Sequence, residues 1–134
     1  LAIAARNVGR HRVGDRVTLA QADLLVNITG PFDLIVSNPP YVPESERGVL
    51  PPEVSEYEPH VALFAGGDGL SAICLLVAQA TARLAPDGLL IFEFGVGQAE
   101  AIERLLHAQA DLGVIEIRRD LQGIPRTAVA QRRP

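Results

Sequence analysis

The sequence predicts a layered α/β fold on a mostly parallel sheet with an antiparallel last strand, and two observations carry this. Short unbroken apolar runs, in "FDLIVSN" and "LLIFEFG", suit strands covered on both faces, and they alternate with segments whose apolar residues recur at helical spacing. The chain then closes on two strand-like segments, "GVIEIRRD" and "RTAVAQRR", joined only by "LQGIP". So short a connection predicts an antiparallel pair.

In order along the chain, "LAIAARNVGRH" reads as the end of a helix, with Ala and Leu favouring it and Gly9 near its exit. "RVTLAQAD" reads as a strand, followed by "FDLIVSN". Residues 39–68 are Pro- and Glu-rich without periodicity, and a connection of that length is functional or mobile as a rule. From Leu70 the apolar positions Ile73, Leu76, Val77, Ala80 and Leu84 predict a helix, which "APDG" stops. "LLIFEFG" is a further buried strand, and Ile102, Leu105 and Leu106 mark a second amphipathic helix after Gly97-Gln98.

At 134 residues and 48% apolar content, the chain is the size of one ordinary domain and can form a real core. All twelve basic residues are Arg and Met is absent even from position 1, so the chain reads as an internal piece of a longer protein. The net charge of −4 gives no broad footprint for nucleic acid, and Arg6, Arg10, Arg12 and Arg16 read as a solvated helix face and loop. Cys74, the single cysteine, lies in a helical apolar pattern and is expected in the core. No apolar run approaches a membrane span, and cytoplasm is the expected location. His11, His60 and His107 lack metal-ligand spacing, so no metal is expected.

The chemistry gathers where the "FDLIVSN" strand ends. In open parallel sheets, ligands sit beyond the carboxyl ends of strands, and Asn38, Pro39, Pro40 and Tyr41 occupy that place. Asn38 offers a side-chain carbonyl, while two prolines supply carbonyls and no N–H donors. An NH2 group needs two such acceptors. Tyr41 adds a flat face for a planar amide or base. A carboxamide nitrogen is a weak nucleophile, so orientation toward an activated methyl group must do most of the work, and a sulfonium donor such as S-adenosylmethionine fits that need.

Further motifs accompany this turn: Glu58-Pro59 with Ala62-Leu63, Asp68-Gly69-Leu70, Glu93 with Gly95 and Gln98, and Asp120 with Gly123 and Arg126. In this combination the sequence resembles the HemK/PrmC family, methyltransferases that modify the glutamine of the Gly-Gly-Gln motif in peptide-chain release factors. The resemblance implies a Rossmann-like S-adenosylmethionine-dependent methyltransferase fold. It also implies that Asn38 and the Pro39 carbonyl accept hydrogen bonds from the glutamine amide, with Pro40 completing the turn and Tyr41 packing beside it. Asp23, Leu24 and Asn38 would contact the cofactor. The family often carries an aromatic residue where this chain has Leu24. Glu58 is expected to fix the long loop, Glu93 to order the pocket or pair within a loop, and Arg126 to pair with an acid between the last two strands.

The family's Gly-rich turn and second-strand acidic residue, which hold the rest of the cofactor, do not occur in this sequence. The chain is therefore expected to be the C-terminal, substrate-side part of a catalytic domain, inactive alone. Its sheet would lack the two central strands, leaving free edges and an apolar face that favour self-association. Two alternatives stand beside this reading: a DNA or RNA amine methyltransferase using the same turn on a flipped base, and a cofactor-free interaction module.

Overall fold

The computed structural model describes all residues 1–134 as an α/β layer structure. Its elements are α1 (Ala2–His11), β1 (Phe32–Ser37), α2 (Pro52–Ser55), α3 (His60–Leu63), α4 (Ser71–Thr81), β2 (Leu84–Glu93), α5 (Ala99–His107), β3 (Leu112–Arg119) and β4 (Pro125–Arg132), with a 3-10 turn at Glu44–Glu46. The four strands form one sheet in the order β1-β2-β4-β3. β1 and β2 are parallel, and β4 is antiparallel to both β2 and β3. The last strand is thus the only reversed one, as the sequence predicts. It lies inside the sheet, and β3 forms the edge.

Alternation along β2 sends Leu90 and Phe92 to one face, where they meet Ile35, Ala128 and Ala130. On α4, Ile73, Leu76, Val77 and Ala80 recur at helical spacing and are buried; α5 contributes Ile102 and Leu106. The same core includes Phe94, just past the end of β2. The opposite side is open, contrary to the expectation that "FDLIVSN" is covered on both faces: Leu34 and Val36 of β1 are 51% and 68% exposed. No helix is long and apolar enough to cross a membrane.

The structure corrects four further local expectations. "RVTLAQAD" forms no strand. A strand needs a ladder partner, and β1 pairs only with β2, so this segment has none within the chain. By contrast α1 ends where expected, at His11 just past Gly9, and the left-handed backbone of its C-cap Arg12 (φ 54°) lets the Arg12 N–H reach the Gly9 and Val8 carbonyls. α4 ends at Thr81, before Leu84, and "APDG" is carried inside β2. It is accommodated as an irregularity: β1 advances from Phe32 to Leu34 while β2 advances from Leu84 to Leu89, with Asp87 at φ 63°. Cys74 is exposed, beside the 57% exposed Leu75. Because α4 is apolar nearly all round, its sequence does not tell which face the core takes. Finally, residues 39–68 contain the short helices α2 and α3.

Candidate active site

β1 ends at Ser37, and the chain turns through Asn38 to Tyr41 beyond its carboxyl end. Pro39 is buried, whereas Asn38 is exposed. The Asn38 side chain and the Pro39 carbonyl make no hydrogen bond within the protein, and both residues line a cavity of about 900 Å³. Both groups are acceptors left without a partner inside the protein.

The phenol end of Tyr41 is fixed by a closed triangle. Its hydroxyl donates to Glu93 Oε1 at 2.7 Å. Arg126 Nη2 donates to the same carboxylate oxygen at 2.8 Å and to the Tyr41 oxygen at 2.8 Å. The guanidinium also lies 5.2 Å from the Tyr41 ring centre. Burial, the Glu93 hydrogen bond and the Glu93 charge raise the Tyr41 pKa above 10.0, against the opposing pull of Arg126. At neutral pH the phenol is protonated. For Arg126, burial acts to lower the pKa and is outweighed by the hydrogen bonds and charges of Glu93 and Tyr41, so it stays charged.

The backbone end of Tyr41 is held by Gln98, which donates from Nε2 to the Tyr41 carbonyl at 3.1 Å. Space there is tight. A Cβ on Gly69 (φ +74°) would collide with the Tyr41 carbonyl, and one on Gly95 would lie 2.9 Å from Gln98 Oε1 and 3.3 Å from the Tyr41 ring.

The long segment forms the opposite wall. Val42 and Phe64 make an isolated parallel bridge, reinforced by the Val42 N–H on the Leu63 carbonyl and the Ala65 N–H on the Val42 carbonyl, each near 3 Å. Arg47 ties this segment together, bonding Glu44 at 2.8 Å and His60 Nδ1 at 3.0 Å over the Phe64 ring. Leu50, Val54 and Leu63 thereby face the cavity. Glu58 departs from its expected role: its side chain makes no hydrogen bond or ion pair with the loop, and the residue is one of those lining the cavity.

Asp23 and Leu24 do not line this cavity. They lie in a turn closed by the Val26 N–H on the Asp23 carbonyl, where Leu24 has φ 49° and packs against the core. Arg126 pairs with an acid as expected, at 2.8 Å, but that acid is Glu93 at the end of β2 and not one between the last two strands, because β4 lies between β2 and β3 in the sheet. The sequence reading missed that both converge on Tyr41, and it gave Gln98 no role. The Gly-flanked "FGVGQ" was the available signal.

No protein-family model matches the chain. Curated relatives do. The release factor glutamine methyltransferase of Bradyrhizobium diazoefficiens is 48% identical over 122 residues, 91% of this chain and 41% of that protein. That of Rhodospirillum rubrum is 44% identical over 131 residues, 98% of this chain and 40% of that protein. The chain belongs to the HemK/PrmC family. It spans about two fifths of the length of these relatives.

Solved structures agree on the fold. A ribosomal protein L11 methylase from Lactobacillus delbrueckii matches with a TM-score of 0.62 at 21% identity, over 98% of this chain and 51% of that one. SMU.1697c of Streptococcus mutans, in complex with S-adenosylhomocysteine, matches at 0.55 and 12% identity, over 96% and 67%. The fold is Rossmann-like, of the methyltransferase type. Within it Glu93, Gly95, Gln98, Gly69 and Arg126 of the HemK/PrmC motifs meet at Tyr41. Asp120 builds the hairpin turn that delivers Arg126, its Oδ1 accepting the Gln122 and Ile124 N–H groups at 2.8 and 3.0 Å. Asp68 Oδ1 accepts the Leu70 N–H at 3.0 Å just before α4.

Proposed function

We propose that the protein carrying this chain transfers a methyl group from S-adenosylmethionine to the side-chain amide nitrogen of a glutamine in peptide-chain release factors. The names of the HemK/PrmC relatives support the substrate. The observation that carries the chemistry is the unsatisfied pair of acceptors, the Asn38 side chain and the Pro39 carbonyl, opening on the cavity. Asn38 and Pro39 would each accept one amide N–H, and the Tyr41 ring, locked by Glu93 and Arg126, would flank the amide plane. Pro40 supplies no competing donor.

Fixing both N–H directions aims the nitrogen without deprotonating it, an advantage of order 7–11 kcal/mol at best. The Tyr41 phenol does not act as a base, because its raised pKa keeps its proton in place. Asp23, exposed and without an ion pair, and Asn38 present free polar atoms that suit part of a cofactor cradle. S-adenosylmethionine, when bound, supplies a methyl group on a sulfonium, and Asp23, Leu24 and Asn38 are the residues of this chain that would hold it.

We read the chain as the substrate-side part of the catalytic domain, inactive alone and prone to self-associate. The test is incubation of the full-length protein with labelled donor and either release factor or total nucleic acid. Mass spectrometry is expected to place one methyl on the glutamine. Label in nucleic acid with an unmodified glutamine would replace this reading with a base amine methyltransferase. Calorimetric titration of the chain alone with the cofactor is expected to show weak binding or none.

A further inference from the structure

We infer that Gln98 is a positioning residue for the Asn38–Tyr41 turn, holding it by the Tyr41 backbone carbonyl; its consequence for methyl transfer rests on the function proposed above. The side chain uses its whole amide. Oε1 accepts the Gly95 N–H at 2.7 Å, while Nε2 donates to the Tyr41 carbonyl at 3.1 Å and to the Asp68 carbonyl at 3.1 Å. One residue thus joins the turn after β1, the loop before α4 and the loop after β2.

The position of Gln98 sharpens the point. It is the N-cap of α5, where a short Ser, Thr, Asp or Asn side chain would bond the first free N–H groups of the helix and stabilise it by about 1 kcal/mol. Gln98 makes no side-chain cap bond. Its amide reaches across the cavity rim to a residue 57 positions earlier in the chain. The local helix forgoes a cap, and the turn gains a fixed point.

The surroundings are shaped for this bond. Added Cβ atoms at Gly69 and Gly95 would meet Gln98 Nε2 and Oε1 at 2.8 and 2.9 Å, so glycine at both places leaves the room the amide occupies. Tyr41 is therefore held at both ends, by Glu93 and Arg126 at the hydroxyl and by Gln98 at the carbonyl. Pro39 and Pro40 stiffen the link between this anchored residue and Asn38. Displacement of the Tyr41 carbonyl is thus passed to the two acceptors that aim the substrate nitrogen.

Gln98→Glu separates positioning from packing. It nearly preserves shape and retains an acceptor for the Gly95 N–H, but it sets a carboxylate oxygen against the Tyr41 and Asp68 carbonyls. Gln98→Met removes all three bonds. In the full-length protein, both variants are expected to lose about tenfold or more in kcat, with KM for the protein substrate within about twofold of wild type, because misaim affects chemistry more than docking. The fraction folded, from denaturant curves, should change least for Gln98→Glu. In this chain, nuclear magnetic resonance should show the Asn38 side-chain NH2 signals shifted in both variants, whatever reaction the full-length protein catalyses.

Unshifted Asn38 signals, or a Gln98→Glu kcat equal to wild type, would overturn the inference. So would a kcat loss that only tracks the fraction folded. If the wild-type protein methylates no glutamine, the proposed function fails, and the Asn38 signals still decide the role of Gln98.

Discussion

The Tyr41 hydroxyl donates to Glu93 Oε1 at 2.7 Å across 52 residues of sequence. This bond ties the turn after β1 to the end of β2, and Arg126 of β4 closes it from the third side. The parallel pairing of β1 with β2 and the antiparallel pairing of β2 with β4 bring the three side chains to one end of the sheet. The reversed last strand therefore has a local purpose: its first residues, entering from the Asp120 turn, supply the cation.

Tyr41 should ionise above the ordinary 10.0, because burial, the Glu93 bond and the Glu93 charge favour the neutral phenol. A group whose folded pKa is raised stabilises the fold fully below its unfolded value, and that contribution is lost as pH rises through the folded value. The Tyr41 contribution is thus intact at neutral pH and fades only above 10.0. With Tyr57→Phe removing the other tyrosine, phenolate absorbance reports Tyr41 alone. Adding Glu93→Gln should move its midpoint back down, and Arg126→Gln should move it further up. Ionisation of Tyr41 at or below the ordinary value would mean that the triangle does not persist in solution.

Gly69→Ala should destabilise the chain where Gly67→Ala does not. At φ +74° an alanine costs about 1–2 kcal/mol from handedness alone. Its Cβ must also displace the Tyr41 carbonyl. Gly67 has nothing within 4 Å of an added Cβ and no positive φ, so its replacement should be neutral or stabilise slightly. Thermal melts are expected to separate the two variants by about 5 °C or more. Equal melting temperatures would show that the contact is not tight.

Much of this arrangement is legible in the sequence where the signal is local. The apolar run "LLIFEFG" marks a buried strand, which supplies Leu90, Phe92 and Phe94 to the core, and the Asn-Pro-Pro-Tyr run marks a strand-end turn. What fails is whatever depends on a distant partner. "RVTLAQAD" has strand composition, yet strand formation needs a neighbour that pairing within this chain does not supply. Cys74 follows helical spacing, but an all-apolar helix hides which side meets the sheet. The Tyr41, Glu93 and Arg126 triangle joins residues 52, 33 and 85 positions apart, and only the sheet register brings them together.

Leu34 and Val36 should drive self-association of the chain. Both project from β1, which is an edge strand, and both are more than half exposed. An exposed apolar edge pairs readily with another chain, and a lysine on such an edge opposes it. Light scattering is expected to show mass rising with concentration, and Val36→Lys is expected to reduce the rise. A stable monomer across a wide concentration range would contradict this expectation.

Asn38 gives the most direct test of the proposed chemistry in the full-length protein. Its side chain is exposed and bonds nothing in the protein, so Asn38→Ala removes no structural contact. Stability should barely change. Loss of one hydrogen bond to substrate costs about 0.5–1.5 kcal/mol of binding, while misaim of a weak nucleophile costs considerably more in rate. Asn38→Asp is the sharper variant, because it keeps an acceptor and nearly the same shape. Its carboxylate alters the field at a sulfonium donor and removes the amide character that fixes the orientation of the bound carboxamide. For both variants, kcat with release factor should fall about a hundredfold while the melting temperature stays within about 2 °C of wild type. Near-normal turnover of Asn38→Ala would show that this turn does not aim the nitrogen, whatever the identity of the substrate.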